Sequence, residues 1–160
     1  MQKPIAIFAG SFDPVTYGHL AIIKRARKML GPLVVLVMKN DAKKGLFALQ
    51  ERVRLLKQAV VDIPDVSVET AGGLLADYAK KHRVKMLVRA LRSSADAPGE
   101  LTQAHYNRLF NPELETIFLA ADTQFQYVSS SAVREIARCG GDVSALVPPA
   151  VQKALTKKLG

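Results

Sequence analysis

Five short apolar runs, at 5–9, 33–38, 66–69, 86–89 and 116–119, alternate with helical patterns, and this alternation leaves a chain of 160 residues few folds to choose from. The run Leu33-Val34-Val35-Leu36-Val37-Met38 is apolar at every position, as a strand buried on both faces must be. Helices are predicted at 18–30, 49–61, 74–82, 96–110, 132–138 and 150–158. The first places Leu20, Ile23, Ala26 and Leu30 on one stripe before Gly31-Pro32 stops it. Strands joined through helices run parallel, because the crossover has to cover a sheet face. The expected fold is therefore α/β: a single domain over 1–160, with a doubly wound five-stranded parallel sheet of Rossmann-like order 3-2-1-4-5 and C-terminal helices. In that order the winding reverses between strands one and four, and a ligand belongs at their carboxyl ends.

The loop after the first strand suits such a site. Gly10-Ser11-Phe12-Asp13-Pro14-Val15-Thr16-Tyr17-Gly18-His19 begins with a residue that permits a sharp turn, is stiffened by Pro14, and offers Thr16 as N-cap. His19 then falls in the first helical turn, among unpaired amides at the positive end of a helix dipole, where phosphate binds. Asp13 beside Pro14 reads as an acceptor that fixes the loop.

Three further segments carry anion-binding residue types. Lys43 and Lys44 lie in the polar loop after strand two, on the ligand side of the sheet. Arg89 and Arg92 leave the end of strand four and require an anion or a carboxylate partner. Ser129-Ser130-Ser131 precede a helix as caps, with Glu135 placed for a capping contact, and free amides there could hold a phosphate. His82, among Lys80, Lys81 and Arg83, reads as solvated surface.

Composition narrows the partners. The formal charge of +9 favours an anionic ligand, but the basic residues are dispersed, without a long tract or an aromatic-rich RNA-binding strand, so no nucleic acid is expected. A sole cysteine, Cys139, rules out an internal disulfide and a cysteine-rich zinc site. No apolar run reaches the roughly 20 residues of a membrane span, so a cytoplasmic protein with no membrane association is expected. No Ser-His-Asp, paired-carboxylate or zinc spacing competes with the phosphate loop.

Gly-Ser-Phe-Asp-Pro followed by Thr-x-Gly-His resembles the signature of the nucleotidylyltransferase superfamily. With Arg89-x-x-Arg92, the serines at 129–131, Leu49-Gln50-Glu51-Arg52-Val53 and Ala104-His105-Tyr106-Asn107-Arg108, the chain is similar over nearly its whole length to the bacterial phosphopantetheine adenylyltransferases. The resemblance implies adenylyl transfer from ATP to 4'-phosphopantetheine, giving dephospho-coenzyme A and pyrophosphate, with Mg²⁺ accompanying the triphosphate. It implies catalytic roles for His19, Lys43 and Arg92. ATP binding falls to Ser11, Phe12, His19, Ala90, Leu91, Arg92, Glu100, Phe125, Gln126, Tyr127, Val128, Ser129, Ser130 and Ser131. Acceptor binding falls to Ser11, Lys43, Leu75 and Arg89. A homohexamer and feedback binding of coenzyme A are implied as well.

The chain departs from the family pattern at Ser11, often threonine, at Ala90, usually glycine, and at Ala97-Pro98-Gly99, where the family carries an aromatic-containing run. The last departure leaves two other readings open: a small nucleotidylyltransferase with a different acceptor, and a nucleotide-binding regulatory module with little catalysis.

Overall fold

A computed structural model of the protein describes residues 5–39 and 45–160, so Lys43 and Lys44 lie outside the described residues. In chain order the elements are β1 (Ala6–Gly10), α1 (Tyr17–Leu30), β2 (Leu33–Met38), α2 (Leu49–Ala59), β3 (Val66–Ala71), α3 (Leu75–His82), β4 (Met86–Leu91), α4 (Ala97–Phe110), β5 (Glu115–Ala120), α5 (Ser130–Arg138) and α6 (Pro149–Leu159). The strands form one parallel sheet in the order β3-β2-β1-β4-β5, the expected doubly wound topology.

Alternation along the central strands divides the core into two layers. Ala6 and Phe8 of β1, with Leu33, Val35 and Val37 of β2, point to one face, where α1, α2, α5 and α6 supply Ile23, Leu56, Val133 and Leu155. Ile7 and Ala9, with Val34 and Leu36, point to the other, where Ala79 of α3 and Leu114 complete a smaller cluster. Such burial on both faces is why β1 and β2 are apolar throughout.

The outer strands are longer than the sequence patterns suggest. Pairing runs on through Leu36↔Glu69, Val37↔Thr70 and Met38↔Ala71, and through Ala90↔Leu119 and Leu91↔Ala120. Backbone ladders ignore side-chain polarity, so strand length outruns the apolar signal at the sheet edges. Ala90 is consequently a strand residue and is not among the positive-φ positions, so its methyl group brings no backbone strain. His82 is half-buried and stacks on Tyr78 at 4.2 Å between ring centroids, which corrects its reading as solvated surface. α4 begins at Ala97 with Pro98 in its first turn, where the missing N–H costs nothing.

Candidate active site at the parting of β1 and β4

The β1–β4 ladder stops at Phe8↔Val88, while β1–β2 continues to Gly10↔Val37. Beyond that point β1 and β4 part, and Arg89 Nη1 donates to the Ala9 carbonyl at 2.9 Å across the opening. The crevice widens into a cleft of about 480 Å³ whose lining includes Gly10, Ser11, Phe12, His19, Arg89, Arg92 and the start of α5. This is the reversal point at which a doubly wound sheet takes its ligand.

The loop that forms the floor is held by packing. Phe12 adopts φ 47, an uncommon conformation for a bulky side chain, and its buried ring packs edge-on against Phe8 at 5.6 Å and His19 at 5.0 Å. Gly10 serves this arrangement through space: a Cβ there would sit 3.2 Å from the Phe12 ring. Its φ is not positive, so close approach, not a sharp turn, is what requires glycine.

Asp13, 6% exposed, is the fixing acceptor expected of it. Its two carboxylate oxygens accept the amides of Leu46 and Phe47 at 2.8 and 2.9 Å, joining the loop to the segment that leads into α2. Gly45 is required there, since a Cβ would stand 2.9 Å from Asp13 Oδ2. Arg134 of α5 donates to the Asp13 carbonyl, and Ser130 Oγ donates to the Pro14 carbonyl at 2.8 Å. Together these bonds fix the β1–α1 loop and the start of α5 to each other.

Two helix N-termini therefore meet at the cleft. Thr16 caps α1, its hydroxyl accepting the His19 amide at 3.3 Å, and Ser129 caps α5, its hydroxyl accepting the Ala132 amide at 3.1 Å. Neither helix has an acidic residue in its first turn, so both present an uncompensated positive end. The capping contact expected from Glu135 does not form, because the third helical position is Ala132, which has nothing to reach back with.

His19 completes the α1 cap in an unusual way. Its Nδ1 accepts the Thr16 amide at 3.0 Å, the part that glutamate or glutamine plays in a capping box. A backbone N–H can only donate, so Nδ1 carries no proton and the neutral ring carries its hydrogen on Nε2. Burial against Phe12, together with the Arg92 charge, lowers the His19 pKa to about 4. The ring is thus a neutral donor, held at the cleft floor with part of its surface open.

Both arginines find carboxylates at the start of α4, Glu100 in its first turn and Asp96 at its N-cap. Arg89 forms a fork with Glu100, Nε to Oε2 at 2.7 Å and Nη2 to Oε1 at 2.8 Å. Arg92 pairs with Asp96 through Nε and Nη2, each at 3.2 Å, and the Arg92 amide donates to Asp96 Oδ2 at 2.9 Å. These contacts, the amide first, hold the Asp96 carboxyl below its ordinary pKa.

Of the residues assigned from sequence, Ser11, Phe12, His19, Arg89, Ala90, Arg92, Glu100, Phe125, Val128, Ser129 and Ser130 line this cleft. Leu91, Gln126, Tyr127 and Ser131 do not, and Tyr127 is 87% exposed. Leu75 packs against the smaller core cluster, away from the lining. The sequence reading missed Asp96 and Gln103 as lining residues. Their spacing with Glu100 puts them on one face of α4, a signal that was present in the sequence. Among the described residues no cluster of three or more His, Cys, Asp or Glu side chains could hold a metal.

The cleft thus gathers two helix N-termini and a neutral imidazole donor at the parting of β1 and β4. The family model described as cytidylyltransferase-like matches residues 7–136. A phosphopantetheine adenylyltransferase of Caldanaerobacter subterraneus subsp. tengcongensis is 46% identical over 154 residues, 96% of either chain. With the loop, the histidine and both arginines falling inside the matched span, the chain belongs to the phosphopantetheine adenylyltransferase family of cytidylyltransferase-like nucleotidyltransferases.

Proposed function

We propose that this protein transfers the adenylyl group of ATP to 4'-phosphopantetheine, giving dephospho-coenzyme A and pyrophosphate in coenzyme A biosynthesis. The observation that carries this reading is the convergence of two uncompensated helix N-termini on the neutral Nε2 donor of His19, at the parting of β1 and β4. A terminal phosphate with a second pKa near ~6 is largely ionised at neutral pH and needs no strong general base. Its oxygen attacks the α-phosphorus in line, the bond from that phosphorus to the bridging oxygen breaks, and the electron pair leaves with pyrophosphate. Catalysis is then positioning and charge stabilisation.

His19 Nε2–H donates to the oxygens that gain charge, and Arg92 and Lys43 neutralise them. The Ser11–Phe12 loop and the amides of Ser129 and Ser130 hold the triphosphate, while Ala90, Glu100, Phe125 and Val128 surround the nucleotide. Arg89 receives the acceptor's phosphate. Lys43 and Leu75 are assigned to the acceptor by the resemblance alone. Mg²⁺ would arrive with ATP, needing no all-protein cage, and would supply neutralisation of triphosphate charge.

Coenzyme A carries the pantetheine arm and the adenylate of the product, so it competes for this cleft as a feedback ligand. The protein acts in the cytoplasm as a homohexamer of single-domain chains. Self-association is supported by α4, which buries none of its residues and leaves Leu101, Tyr106, Leu109 and Phe110 more than half exposed. No helix among the described residues is long and apolar enough to cross a membrane. Incubation with ATP, Mg²⁺ and 4'-phosphopantetheine, followed by chromatography, tests the reading: dephospho-coenzyme A must form. Turnover of other phosphate monoesters in preference to 4'-phosphopantetheine would assign a different acceptor.

A further inference from the structure

Arg52 lies on α2 within the Leu49–Val53 run, and nothing in the proposed reaction accounts for it. Its Nη1 donates to the Ser11 carbonyl at 2.8 Å and approaches the Met38 carbonyl at 3.5 Å, so one guanidinium ties the end of β1 to the end of β2. Its Nε is buried and has no hydrogen-bond partner among the described residues. No carboxylate among them lies within 4.0 Å of it, whereas Arg89, Arg92 and Arg134 each have one. A half-buried arginine that meets only carbonyl oxygens keeps its full charge. That charge stands against the Ser11 carbonyl and is not part of the cleft lining.

The bonded carbonyl matters. The oxygen of Ser11 and the amide hydrogen of Phe12 belong to one peptide group, so a cation pulling on the oxygen strengthens the N–H as a donor. Among the described residues, the charged side chains that line the cleft stand in pairs, Arg89 with Glu100 and Arg92 with Asp96. We infer that Arg52 is a positioning residue for nucleotide binding: it fixes Ser11 at the cleft floor and supplies uncompensated positive charge through the Ser11–Phe12 peptide, without touching the substrate. This inference rests on the proposed binding of ATP in the cleft.

Arg52→Gln removes the charge, and Arg52→Lys keeps it on a side chain without the planar guanidinium that holds this geometry. Calorimetric titration of the wild-type chain and both variants with MgATP, at about 50 and about 500 mM salt, separates charge from structure. Arg52→Gln is expected to weaken ATP about tenfold at low salt, with the gap to wild type narrowing at high salt, and with KM for the acceptor within about twofold. Arg52→Lys is expected to fall between the two proteins. Thermal unfolding checks the fold, and if the glutamine variant does not fold, the lysine variant must still lose ATP affinity. ATP affinity in Arg52→Lys and Arg52→Gln equal to wild type overturns the inference, as does a loss identical in both variants and independent of salt. A wild-type chain that binds no ATP overturns the proposed function and this inference together. A chain that binds ATP but does not turn over 4'-phosphopantetheine overturns the proposed reaction and leaves the Arg52 comparison decisive.

Discussion

Replacing His19 by alanine removes two separable contributions. The first is the Nε2–H donor at the cleft floor: loss of one preorganised donor aimed at developing charge costs about 10²–10³ in kcat, or about 3–4 kcal/mol. The second is the acceptor for the Thr16 amide, now 3.0 Å from Nδ1. Thr16 is 1% exposed, so its amide would be left unpaired, at a cost of about 1–3 kcal/mol of folding stability. His19→Gln separates the two, because glutamine at this helical position can rebuild the capping box and accept the Thr16 amide. Denaturant unfolding should show His19→Ala destabilised and His19→Gln largely restored. Steady-state kinetics should show both far below wild type in kcat, with ATP affinity changed less. If glutamine restored kcat along with stability, His19 would be a capping residue and the donor role would be wrong.

The same residue sets a pH dependence. With a pKa lowered from 6.5 to about 4, His19 stays neutral in the folded chain where the unfolded chain takes up a proton. Its contribution to stability is therefore complete above about pH 6.5, declines as pH falls toward 4, and is level below that. An NMR titration of the free protein should find the His19 ring unprotonated at pH 6, with its hydrogen on Nε2. A midpoint near 6.5 would contradict the burial argument.

Asp13→Asn turns an amide NH₂ toward one of the two backbone donors, Leu46 or Phe47, and should cost about 2–3 kcal/mol in denaturant unfolding; a cost below about 1 kcal/mol would show that the loop re-forms without it. Gly99 faces the cleft with nothing within 4 Å of an added Cβ, so Gly99→Tyr should bury about 60 Å² more of the acceptor. At about 25 cal/mol per Å² that gives roughly 1.5 kcal/mol, or about tenfold in acceptor affinity, with calorimetry showing ATP unchanged; a change confined to ATP would refute it. Leu109→Asp with Phe110→Asp should reduce a hexamer to smaller species in sedimentation velocity, and an unchanged mass would move the interface away from α4.

The sequence made the central architecture readable because β1 and β2 are buried on both faces and α1 is capped by residues with strong local preferences. Thr16 and His19 could be placed from spacing alone. Edge-strand length could not, since Glu69 and Thr70 belong to their ladder through backbone pairing. The Arg92–Asp96 pair is four residues apart and was open to local reading, whereas Arg89–Glu100 depends on how β4 and α4 lie against each other. The bonds of Arg52 and Arg134 to the loop were out of reach for a plainer reason: they go to backbone carbonyls 41 and 121 residues away, and a carbonyl leaves no mark in a sequence. Nor could spacing show that His19 is neutral, since that follows from Phe12 packing and the nearby Arg92 charge. In the stretch 125–131 the resemblance named every residue, but the turn into α5 directs Gln126, Tyr127 and Ser131 away from the lining.

Adenylyl transfer differs from every other use of ATP in which phosphorus moves. The most direct measurement incubates the protein with 4'-phosphopantetheine and Mg²⁺ in two parallel reactions, one with ATP labelled at the α-phosphorus and one with ATP labelled at the γ-phosphorus. The account predicts α-label in dephospho-coenzyme A and γ-label in pyrophosphate. Label from the γ-position in the acceptor, or ATP that binds and is never consumed, would contradict it.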